Sequence, residues 1–177
     1  NGDFVEPRSY LPKTLTQTKA ALREQMLGTF EKTRFSLPEN IGNKEQLIDA
    51  AMNLVEQFYF SGYNDKQLTQ EEFQSFIFLT YADLTLKLCR ELNIRYLEAP
   101  CKDDIDRGGA FKAILKLHAL HLDANDNALS PEETSKKLQE IMVSLIAAPI
   151  IVAKRGIVDE RIKFVRNVVA QIPDIEN

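Results

Sequence analysis

The sequence predicts an α+β fold, mostly helical, with a small β component feeding a strand–loop–helix over residues 94–122. Three observations predict it. Apolar residues recur at helical spacing through most of the chain. Thr69-Gln-Glu-Glu72 and Ser130-Pro-Glu-Glu133 have the form of capping boxes, each marking a helix start. Ile94-Arg-Tyr-Leu-Glu98 alternates in polarity as a short strand does, and Pro100 excludes helix at the residue before it.

Residues 1–12, with Gly2, Pro7 and Pro12, read as an extended arm or the end of a linker. Residues 13–177 read as a single mostly helical domain. From about Thr14 to Lys32, Leu15, Leu22, Met26 and Phe30 share one helical face, and Leu47, Ala51, Leu54, Val55 and Phe58 repeat the pattern over residues 43–60, with a turn at Ser36–Gly42 between them. After a loop at Ser61–Gln70, Thr69 opens a helix running to about Asn93, apolar on most of its circumference and therefore expected to be central and buried. The strand at Ile94–Glu98 leads to a polar loop, Cys101–Gly109, and then to a helix over Ala110–Leu122. Ser130, with Pro131 at the first helical position, opens a helix to about Ala148 that Pro149 is expected to stop. Ile150–Ala153 reads as a short strand, residues 154–156 as a turn, and Val158–Ile172 as a last amphipathic helix closed by Pro173. One strand cannot satisfy its own backbone, so its partners are expected from weaker candidates such as Thr33–Leu37 and Ile150–Ala153, or from chain outside this sequence.

Composition limits the function classes. The chain has 177 residues, 44% hydrophobic and 27% charged, the balance of a soluble globular protein. No run reaches the roughly 18–20 unbroken apolar residues of a membrane span, so no transmembrane segment is expected. The net charge of −4 gives no global attraction to nucleic acid or anionic lipid, and an anionic ligand would need a local basic site. Lys154, Arg155, Arg161, Lys163 and Arg166 form a modest basic cluster without the interleaved aromatics that single strands require; it reads as a solvated face, and no nucleic-acid partner is expected. Two cysteines, Cys89 and Cys101, cannot build a disulfide framework and suit a reducing, cytosolic compartment. The start at Asn1-Gly-Asp without Met suggests a processed form or a piece of a longer protein.

The stretch that carries chemistry is Ala99-Pro-Cys-Lys-Asp-Asp-Ile-Asp-Arg-Gly-Gly109. Cys101 and Arg107 are separated by five residues between a strand and a helix, the spacing of the phosphate-binding loop of cysteine-dependent phosphatases. The N–H groups of Lys102, Asp103, Asp104, Ile105 and Asp106 can curl into an anion nest, and the following helix adds its partial positive charge. The same field favours the thiolate of Cys101, the competent nucleophile. Arg107 can grip two phosphoryl oxygens at once, and Gly108 and Gly109 let the backbone leave the loop without a Cβ penalty. Cys89 and Arg95 repeat the spacing at the end of an apolar helix, where no nest can form. Spacing without that context is weak.

Cys101-Lys102, Asp106-Arg107 and Gly109 resemble the Cys-Lys-x-x-Lys-Asp-Arg-Thr-Gly signature of the inositol polyphosphate 4-phosphatases and of the phosphoinositide phosphatases that bacterial pathogens deliver into host cells. Ile105 stands where the family has its second Lys, and Gly108 where it has Thr or Ser. The resemblance implies a phosphatase acting through a phosphocysteine on Cys101, with a phosphorylated substrate such as a phosphoinositide at a membrane surface and no cofactor or metal. For a secreted effector it also implies a location in the host cytosol or at a host membrane. Asp106 is either a catalytic carboxylate or one that orients loop N–H groups, and Asp103 and Asp104 are further carboxylates of the loop. The alternative is a non-enzymatic helical interaction or accessory domain of a secreted effector, whose Cys-x5-Arg is accidental or inactive.

Asp123-Ala-Asn-Asp-Asn127 begins like a calcium loop, but Ala128 holds the glycine position and Thr134 the bidentate glutamate position; it reads as a polar turn. His118 and His121 read as ordinary surface or half-buried histidines, and Lys112 and Lys116 on the same helix would face anionic lipid if the loop is a phosphatase loop.

Overall fold

A computed structural model describes residues 13–28, 37–63, 65–97, 107–127, 129–153 and 156–172. Among them are six helices: α1 (Leu15–Met26), α2 (Lys44–Tyr59), α3 (Gln70–Glu91), α4 (Arg107–Asn127), α5 (Pro131–Ala153) and α6 (Asp159–Val169). β pairing among the described residues is limited to one isolated antiparallel bridge, Thr14 with Gln67. The α+β expectation is therefore corrected to an all-helical one. The chain divides into two compact units, Asn1–Lys87 and Leu88–Asn177, the boundary falling inside α3. The expected arm at 1–12 lies outside the described residues.

In the first unit, Thr14 caps α1: its Oγ1 accepts from the Gln17 N–H at 3.3 Å while Gln17 Oε1 accepts from the Thr14 N–H at 3.0 Å. Leu15, Thr18, Leu22 and Met26 bury one face of α1, and Ile48, Ala51, Met52, Val55 and Tyr59 bury one face of α2. The two helices pack together. Arg23 reaches Asp49 at 2.8 Å and Glu45 at 2.6 Å, and Lys19 pairs with Glu56; this order of partners makes the helices antiparallel. These pairs are partly or well exposed, so they orient the helices more than they stabilise them. α1 stops at Met26, short of the expected Lys32, because Gly28 takes φ +74° just past its end, where a residue without Cβ meets no penalty.

Phe60 is fully buried and meets the rings of Tyr63 and Phe76 edge-on, each with centroids 5.4 Å apart. The expected capping box at the start of α3 is present. The Thr69 N–H donates to Glu72 Oε2 at 2.7 Å, the Glu72 N–H donates to Thr69 Oγ1 at 3.2 Å, and Lys66 Nζ reaches Glu72 Oε1 at 3.0 Å. Burial acts to raise the Glu72 carboxyl, but the Thr69 N–H, the Lys66 ammonium and the Tyr63 and Thr69 hydroxyls outweigh it, so its pKa lies below the ordinary value. The cap's contribution is complete above the unfolded-state value of about 4.3 and is lost as pH falls through the lower folded value. Thr69→Ala is expected to cost about 1 kcal/mol at neutral pH, and Glu72→Gln to flatten the acid limb of stability. Urea unfolding at neutral pH and near pH 3 checks both.

The buried residues of α3 run from Phe73 to Leu84 and cover more than half its circumference, the inward packing its apolar pattern predicts. From Thr85 onward the helix is half-buried to exposed. Asp83, almost fully buried, pairs with Lys87 at 2.8 Å. Tyr59 titrates well above the ordinary tyrosine range, mainly through burial and secondarily through the Asp83 charge. Thr18 Oγ1, Ser75 Oγ and Thr80 Oγ1 are buried with no hydrogen-bond partner among the described residues.

The end of α3 explains why the strand expected at Ile94–Glu98 does not form. Asn93 adopts φ +50°, its N–H donates to Arg90 O at 3.2 Å, and the Ile94 N–H donates back to Cys89 O at 2.8 Å. This is the double closure of a Schellman cap. Ile94's N–H is thereby consumed in ending a helix. Residues 94–97 pair with no strand and leave Ile94, Tyr96 and Leu97 exposed; Glu98 lies outside the described residues.

In the second unit α4 packs against both α5 and α6. α4 extends beyond the expected Leu122 to Asn127, taking the backbone of the calcium-like stretch into helix. Ser130 caps α5: Oγ accepts from the Glu133 N–H at 3.2 Å and the Ser130 N–H donates to Glu133 Oε2 at 3.1 Å. Contrary to expectation, α5 continues through Pro149 to Ala153, so Ile150–Ala153 is helix and not strand. Proline in a helix interior costs about 3 kcal/mol. Ile141, Leu145 and Pro149 share the buried face of α5, and that burial offsets the lost backbone bond. The other expected strand, Thr33–Leu37, lies outside the described residues except for Leu37, which is in no strand.

Candidate functional site

Arg107, the last residue of the Cys-x5-Arg motif, is the first residue of α4 and is exposed. Cys101, Lys102, Asp103, Asp104, Ile105 and Asp106 lie outside the described residues. What surrounds the motif is set by the sequence after it. Ala110, Ala113, Ile114, Leu117, Leu120 and His121 recur three and four apart and are buried, so α4 is anchored along its length, while Arg107 at its first position is exposed. Its first turn carries no acidic residue.

Gly108 and Gly109 do not act as the sequence suggested. Both are helical, and neither has positive φ, so the chain enters α4 without needing their special backbone freedom. Gly108 is buried, and a Cβ on Gly109 would come no closer than 4.0 Å to Leu145 Cδ1 on α5, an ordinary contact. Gly109→Ala is accordingly expected to stabilise the protein by about 0.5–1 kcal/mol, the helix-propensity difference. A raised denaturation midpoint with unchanged slope is the readout.

The second Cys-x5-Arg behaves as its context demands. Cys89 lies in the last turns of α3, half-buried and free, and its carbonyl is committed to Ile94 at 2.8 Å. Arg95 follows the helix end. No anion nest is formed there, because a nest needs successive N–H groups turned inward and these are spent on the helix and its cap.

His118 is fully buried and His121 nearly so, which corrects the expectation of surface or half-buried rings. Each has interactions with neighbouring groups. The signal missed was position: both fall on the face defined by Ile114, Leu117 and Leu120. Lys116 is exposed and lines a shallow groove of about 340 Å³ between α4 and α5, together with Leu120, Asp123, Lys137, Glu140 and Ser144. At 1.5 Å rise per residue, Lys116 is about 13 Å along α4 from Arg107, so Arg107 does not line the groove. Its ammonium and carboxylate groups are mixed, which gives it no preference for an anion.

Comparison with protein-family models, curated proteins and solved structures gives no match to this chain.

Proposed function

We propose that the chain is a cysteine-dependent phosphatase that hydrolyses a phosphate monoester, with a phosphoinositide at a membrane surface as the substrate class. The observation that supports this reading is that a 21-residue helix, Arg107–Asn127, follows directly in sequence on the segment headed by Cys101. A bound phosphoryl group at that loop would meet the helix's free N–H groups and the Arg107 guanidinium together. The Cys101 thiolate attacks phosphorus; the S–P bond forms as the P–O bond to the alcohol breaks, and the departing alkoxide takes a proton from a general acid. Water then attacks the phosphocysteine, giving a proton back to that acid's conjugate base and releasing phosphate and thiolate. Asp106 is either that acid or the carboxylate that orients the loop. The reading requires a reducing compartment, in which Cys101 stays a thiol. Among the described residues no helix is long and apolar enough to cross a membrane, so the substrate would be met from the aqueous side.

The test is phosphate release from a panel of phosphoinositides, soluble inositol phosphates and phosphopeptides. Cys101→Ser is expected to abolish release and Cys89→Ser to leave it unchanged. A second reading, a helical interaction or accessory domain, draws support from residues 94–97, which do not form the strand that precedes the loop in the resembled family. Wild-type protein that releases no phosphate from any member of the panel decides for it.

A further inference from the structure

We draw no further inference here: the strongest candidate, the exposed apolar face of the C-terminal half of α5 formed by Val143, Ile146, Ile150 and Ile151, carries none, because nothing in the structure shows what covers it.

Discussion

Arg107→Lys is expected to lower phosphate release by about 10²–10³-fold, the usual cost of removing one preorganised donor from developing transition-state charge. Lysine keeps the charge but replaces a planar fork with a single ammonium, so two equatorial oxygens can no longer be held together. The loss should fall on kcat more than on KM, because charge accumulates on those oxygens as the P–O bond breaks. Folding should be unaffected to within about 0.5 kcal/mol, since residue 107 is exposed at the first position of α4 and both residues are good helix formers. Thiol labelling provides an independent arm. If helix and loop act on Cys101 as proposed, its thiol lies below the free value of about 8.5, and iodoacetamide should label it at or below neutral pH with protection by phosphate or vanadate. Labelling only above pH 8, without oxyanion protection, would remove the reason for expecting Arg107→Lys to matter.

The largest stability effect is expected at Phe76. Its side chain is fully buried and meets the equally buried Phe60 ring edge-on at 5.4 Å. Phe76→Ala should cost about 3–5 kcal/mol, from lost transfer free energy and the cavity left behind. That includes about 0.5–1.5 kcal/mol of ring–ring interaction. Against a typical total of 5–15 kcal/mol, this is a large share. Tyr96→Ala is the control: at 91% exposure it should change stability by less than about 0.5 kcal/mol. Urea unfolding of the two variants checks the contrast, and a Phe76→Ala cost near that of Tyr96→Ala would mean that the aromatic pair is not part of the cooperative core.

Both results bear on how much of this protein is legible in its sequence. Local rules carried far. The boxes at Thr69 and Ser130 close as written, and the apolar circumference of residues 73–84 is the buried part of α3, because capping and amphipathicity depend on residues only a few positions apart. The strands were misread for the same reason. Ile94–Leu97 alternates convincingly, but a strand requires a partner, and alternation says nothing about one. Ile150–Ala153 looked detached because Pro149 precedes it, yet the packing of Ile141, Leu145 and Pro149 on one face outweighs a local penalty, and no neighbour-by-neighbour reading contains that term. At the candidate site the helix after the motif is readable from Ala110 onward, but it takes in Arg107 and both glycines as well, which the sequence places in the loop before it. The burial of His118 was readable too, from its apolar neighbours three and four residues away, and histidine's polarity hid it.

The buried hydroxyls of Thr18, Ser75 and Thr80 have a further consequence. Each is buried with no hydrogen-bond partner among the described residues, and a buried hydroxyl that exchanges its bonds to water for none loses about 1–3 kcal/mol. Valine or alanine would fill nearly the same space without that loss, so the first unit sits below the stability its own backbone could support. Natural chains need only stay above the threshold for function. In evolutionary terms, the core of this unit holds a reserve: three positions where a conservative apolar replacement can compensate for a destabilising change elsewhere, leaving the surfaces of the chain free to vary.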